Sequence, residues 1–155
     1  MISRRFRCCA RNRIGSLELR RAIIAKNHPL LRRVIPAYLH QIEKAIQRHD
    51  LVSINHRVAA LLASYFDVLF ALNRLPNPGE KRLLTIAAQR CARIPKDMPF
   101  HVERVLYAAA FTDPGLITDI QALVDGLDQL LREQGFDPDT SLPLAQIWES
   151  VSREE

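Results

Sequence analysis

Glycine is scarce in this 155-residue chain, with five, and cysteine scarcer still, with three. So few glycines leave no Gly-rich loop to cradle a phosphate, and Ser53 and Ser64 lack the flanking glycines of a nucleophile elbow. Three cysteines, of which Cys8 and Cys9 are adjacent, offer neither a disulfide framework nor metal-ligand spacing. The five histidines (His28, His40, His49, His56 and His101) fall into no H-x-x-x-H or H-E-x-x-H pattern, so no metal site is expected. No run reaches the roughly 18 uninterrupted apolar residues of a membrane span. The longest, Val58 to Leu72, is broken by Ser64 and Asp67. The expectation is a soluble, cytoplasmic protein with no cofactor, no catalytic residue of a known pattern and no membrane partner.

The positive charge is unevenly placed along the chain. Residues 1–13 hold Arg4, Arg5, Arg7, Arg11 and Arg13 and no carboxylate, whereas the other 142 residues carry 17 basic and 17 acidic side chains. The net charge of +5 therefore belongs to a tail, and the body is neutral. Residues 1–15 read as a basic disordered tail and 16–155 as a single helical domain. A basic arm of this kind suits nucleic acid or anionic lipid through counterion release. It has no apolar stretch of signal-peptide length.

What the chain does have is helix punctuation. Asn27-His28-Pro29, Asn77-Pro78-Gly79-Glu80, Asp97-Met98-Pro99, Asp113-Pro114-Gly115 and Ser141-Leu142-Pro143 each place a capping side chain just ahead of a proline, and Asp50 precedes Leu51. Helices are predicted near 17–26, 29–48, 51–75, 79–93, 98–111, 114–134 and 142–151, with Pro36 kinking or splitting the second. No segment alternates long enough for a strand. The predicted fold is all-α, an antiparallel bundle of six to seven helices around a buried central helix at about 51–75. Leu51, Ile54, Val58, Leu61, Tyr65, Phe66, Leu69 and Leu72 line that helix. Ile35, Leu39, Ile42 and Ile46, then Leu83, Ile86 and Ala87, then Leu116, Ile120, Leu123, Val124, Leu127, Leu130 and Leu131 supply its neighbours' stripes. The segment Leu142–Val151, with Trp148, is expected to cap one end or dock on a partner.

Two places invite function. Asp67 sits inside Tyr65-Phe66-Asp67-Val68-Leu69-Phe70, where a lone carboxylate is costly unless paired. It is expected to pair with Arg74, Lys81 or Arg82, or to face a ligand or partner. Asn77-Pro78-Gly79-Glu80 reads as a capping box, and a helix start followed by Lys81 and Arg82 also suits an anion. Asp67, Arg74, Glu80, Lys81 and Arg82 are thus the candidate contacts. Gly15-Ser16 and Asp137-Pro138-Asp139 contain the pieces of a nucleotidyltransferase signature, but about 120 residues separate pieces that must sit close together.

The string Ala63-Ser64-Tyr65-Phe66-Asp67-Val68-Leu69-Phe70-Ala71-Leu72-Asn73-Arg74, continuing as Pro78-Gly79-Glu80-Lys81-Arg82-Leu83-Leu84, resembles the helical segment attached to a nucleotidyltransferase-like domain in a bacterial family of largely uncharacterised proteins. The similarity extends weakly to Cys91, Ile94-Pro95, Met98 and Leu123-Val124-Asp125-Gly126-Leu127, covering about residues 30–132. In that family the position of Asn77 is often His. The resemblance implies a non-catalytic accessory domain that packs beside the nucleotidyltransferase-like domain and helps shape its cleft, the catalytic residues lying in the other domain. The partners in view are such a domain or protein and a second copy of this chain. Two alternatives stand beside it: a nucleic-acid-binding protein using the arginine arm, and a small-molecule enzyme with a cleft near Asp67.

Overall fold

The computed structural model describes residues 16–138. Within them run six helices: α1 (Leu17–Arg32), α2 (Tyr38–Gln47), α3 (Leu51–Leu72), α4 (Leu83–Arg90), α5 (Met98–Phe111) and α6 (Leu116–Glu133). Among the described residues there is no strand, and the fold is an all-helical bundle. The arginine arm and the helix expected at 142–151 lie outside the described residues. No helix among those residues is long and apolar enough to cross a membrane.

α3 is the element on which the others assemble. α1 and α2 pack against it, and so do α5 and α6, which pair with each other. From Ser64 to Leu72 every residue of α3 but Asp67 is buried, with Tyr65 edge-on to Phe66 at 5.4 Å. The Tyr65 hydroxyl has no hydrogen-bond partner among the described residues, and burial pushes its pKa well up. The N-terminal half departs from the expected all-round burial: Leu51, Val52, Ala59 and Ala63 are exposed beside Asn55, His56 and Arg57. Polar residues there share the surface, so only one side of that half finds neighbours.

Arg20 fixes α1 on α3. Its guanidinium is buried and donates to the carbonyls of Ala71 (3.0 Å) and Leu72 (3.2 Å), which close the α3 C-terminus, and it lies 5.3 Å from the Phe136 ring centroid. The Ala71 carbonyl also accepts from Arg74 N (3.1 Å), and a cation is favoured at the negative end of a helix, where carbonyls lack their usual i+4 donors. Burial, then the like charge of Arg74, lower the Arg20 pKa from its ordinary value.

Helix ends account for most departures from expectation. α2, α3, α5 and α6 each finish on a left-handed residue: His49 (φ 54°), Arg74 (57°), Thr112 (50°) and Gly135 (76°). The next amide in each case donates to the carbonyl five residues back, at 2.9–3.0 Å. This arrangement satisfies the orphan carbonyls, and it ends α3 at Leu72 instead of at 75. Only one of the four residues is glycine.

Three predicted helix starts are corrected. Asn27 does not cap: its amide donates to Ile23 O (3.0 Å), and α1 runs on through Pro29 to Arg32. The break falls at 33–37 instead, where Ile35-Pro36 is cis and Ile35 is 88% exposed, outside the stripe assigned to it. Asn77 and Glu80 form no capping box. The Asn77 side chain accepts from Gly79 N (3.0 Å) in a turn, and α4 begins four residues later than predicted, at Leu83. Asp113 likewise bonds Gly115 N (2.7 Å), so α6 starts at Leu116, and Asp97 makes no side-chain cap bond to α5. Asp50 caps α3 as expected, accepting from Ser53 N at 3.0 Å, and Ser16 caps α1 through Leu19 N at 3.0 Å.

Candidate functional site

The candidate contacts read from the sequence do not form one site. Asp67, half-buried, takes a 2.7 Å hydrogen bond from the side-chain amide of Asn77, and no basic side chain pairs with it among the described residues. The expected ion pair with Arg74, Lys81 or Arg82 is therefore replaced by a neutral tie between α3 and the turn that follows. Arg74 is exposed at its left-handed position, committed by the helix ending. Asp67 and Asn77 line a cleft of about 320 Å³ with Lys26 and Asn27 of α1, over Ile23 and Leu75.

Glu80 and Arg82 lie elsewhere, along a larger groove of about 750 Å³ between α3, α5 and the segment before and within α4. Its walls are apolar: Ala59, Leu62, Ala63 and Phe66 from α3, Leu83 and Leu84 from α4, Val102 and Leu106 from α5. Lys81 is exposed but does not line it. Asn77 borders both clefts. A third cleft, about 400 Å³, lies between the 94–101 segment and α6, lined by Lys96, Asp97, His101 and Glu133. There a side chain at Gly126 would meet Pro95 at 3.3 Å, which explains the glycine in mid-helix.

The outer side of α5 is a surface the sequence reading passed over. Phe100 (60% exposed), Tyr107 (67%) and Phe111 (76%) project into solvent. Positions 100, 104, 107 and 111 recur at helical spacing, so they share one stripe. Tyr107 and Phe111 stack, with centroids 6.5 Å apart and planes 9° from parallel. Arg104 in the same stripe is held by Asp119 at 3.0 Å. The i, i+4, i+7, i+11 spacing was available in the sequence as a signal.

The strongest electrostatic feature is also one not anticipated. Asp128 of α6 is 1% exposed, and its carboxylate faces His28 Nε2 (2.5 Å), Arg32 Nη2 (2.5 Å) and Arg33 Nη2 (3.3 Å), all from the end of α1 or just past it. Arg32 also reaches Asp125 at 2.6 Å. Burial pushes the Asp128 carboxyl up, but the hydrogen bonds and charges of His28 and Arg32 overturn this and hold it at about 2. Burial likewise opposes the charge of Arg32, whose bonds to Asp125 and Asp128 raise its pKa above the ordinary value. A histidine–carboxylate pair orients an imidazole for catalysis when a nucleophile lies on its far side. Here both residues are buried and the surrounding cations belong to the pair itself, so the arrangement ties α1 to α6. The clue in the sequence was Asp128 falling four residues after Val124, inside the apolar stripe of α6.

Among the described residues, no group of three or more His, Cys, Asp or Glu side chains is placed to hold a metal ion. No protein-family model matches the chain, and no curated protein or solved structure matches it either.

Proposed function

We propose that the chain is a helical interaction module of the accessory kind, which packs through the outer face of α5 beside a nucleotidyltransferase-like domain and itself performs no nucleotide transfer. The observation that carries the reading is the exposed stripe Phe100–Arg104–Tyr107–Phe111. Aromatic and arginine side chains dominate binding hot spots, because they bury a large area at small entropic cost. The Arg104–Asp119 pair and the Tyr107–Phe111 stack hold part of that surface in place before a partner arrives. The nature of the partner rests on the resemblance of residues 63–84. The test is co-purification of the chain with a domain that carries a Gly-Ser turn close in sequence to an Asp-x-Asp pair. Retention supports the reading; Mg²⁺-dependent nucleotide transfer by the chain alone, or failure to associate, overturns it.

One observation favours a second reading, a small-molecule site at Asp67. That carboxylate and the Lys26 ammonium face one cleft, and neither has an ionic partner among the described residues. If the cleft houses an activity, Asp67→Asn abolishes it while leaving the circular dichroism unchanged. Full activity in that variant would dispose of the reading.

A further inference from the structure

We infer that the outer face of α5, taken as an interaction surface as proposed above, pairs with the same face of a second copy of this chain. The two helices run antiparallel about a two-fold axis, and the free chain covers the face with itself until the partner domain displaces the second copy.

The stripe is its own complement. Phe100, Arg104, Tyr107 and Phe111 stand 4, 3 and 4 residues apart, a spacing that reads the same from either end. Laid antiparallel, two copies bring Phe100 onto Phe111 at both ends, about 16 Å apart along the axis, and Arg104 onto Tyr107 twice in the middle. A two-fold dimer needs a surface of this self-matching kind. The Arg104 guanidinium gives one edge to Asp119 at 3.0 Å while its side chain stays 47% exposed, so its flat face is open to the Tyr107 ring of the second copy. Parallel pairing would instead set Arg104 against Arg104, like charge on like. Glu103 and Ala110, both exposed, lie on one flank of the stripe. In the antiparallel pair they come opposite each other, so the acid meets a small neutral side chain. The three exposed aromatic side chains offer about 130 Å² each. With Arg104 and the flanking residues the pair buries about 1,000 Å² in total, the low end of specific interfaces. A dimer of that size is weak and exchanges readily, which lets another partner take over the face.

Sedimentation equilibrium of the unmodified chain should show a mass that rises from one chain towards two across the micromolar range. Tyr107→Arg, at an exposed position, sets arginine against arginine and should weaken the dimer by about tenfold or more, with the far-UV circular dichroism unchanged. The exchanged variant Arg104→Tyr/Tyr107→Arg returns each arginine to a tyrosine of the second copy and should restore the dimer. A chain that stays monomeric throughout that range would overturn the inference. So would a dimer that Tyr107→Arg leaves intact, because it forms through another face. A loss in Tyr107→Arg that the exchange does not recover rejects the two-fold register and the inference with it. A monomer that still retains the nucleotidyltransferase-like domain overturns this inference alone, whereas a dimer sensitive to these variants that fails to retain the domain supports it and overturns the proposed partner alone.

Discussion

Neutralising Asp128 leaves Arg32, Arg33 and His28 facing a buried amide in place of a carboxylate. Breaking a buried ion pair from one side typically costs about 3 kcal/mol or more, and that is the loss expected in urea denaturation of Asp128→Asn. The pH dependence has a definite sign. The folded pKa of about 2 lies below the ordinary 3.8, so the stabilisation is fully present above pH ~4 and disappears as pH falls through the folded value. The amount is about 2 kcal/mol. A stability curve between pH 5 and pH 2 should therefore fall more steeply for the parent chain than for Asp128→Asn; parallel curves would show that the network does not hold the proton off. Asp67 is the contrasting case. It is half-exposed and bonded to a neutral amide, so Asp67→Asn should change stability by less than ~1 kcal/mol, measured in the same way. The residue that looked most unusual in the sequence is energetically the lesser of the two aspartates. Its neighbours in sequence are apolar, but its neighbour in space is Asn77.

Helix termini decide how far each element was legible. Cap-and-proline signals together with apolar stripes located the six helices, and α5 matches its predicted span, 98–111, because Asp97-Met98-Pro99 and Asp113-Pro114-Gly115 bracket it. The end of α3 was not legible, since Arg74 occupies a position that glycine usually marks, whereas α2 ends at Gln47, one residue short of the predicted 48. The Asn-x-Pro and Asn-Pro-Gly signals misled because the asparagine side chains had other partners, Ile23 O within α1 and Gly79 N in a turn. Thr112 makes this testable. A β-branched residue in the left-handed region is strained, so Thr112→Gly should raise stability by about 1 kcal/mol, net of the greater freedom glycine gives the unfolded chain. A lower melting temperature in that variant would refute the account of the α5 ending. Asn73 joins two elements: its amide donates to Leu69 O (2.9 Å) and Arg93 O (2.8 Å), and its carbonyl accepts from Arg93 N (2.9 Å). Asn73→Ala should cost about 1–2 kcal/mol and speed amide exchange at Arg93; unchanged exchange there would count against the tie.

At the scale of the molecule, what was hard to foresee is what joins distant stretches of chain. His28 and Asp128 are 100 residues apart, and no local pattern pairs them. The groove likewise requires α3, α4 and α5 to converge, which Glu80 and Arg82 do not announce. The outer stripe of α5 differs, because it lies within one element and its spacing is local. It was missed because an aromatic stripe ordinarily reads as core, whereas here Met98, Val102, Val105, Ala108 and Ala109 bury the opposite side. A helix apolar on two sides has a second surface to satisfy, and this links the bundle to its proposed role. The affinity of the partner domain for the chain and for a Tyr107→Ala/Phe111→Ala variant, compared by calorimetry, tests that role most directly. The account predicts a loss of at least ~30-fold, about 2 kcal/mol, with thermal unfolding of the variant unchanged. Equal affinities would contradict it.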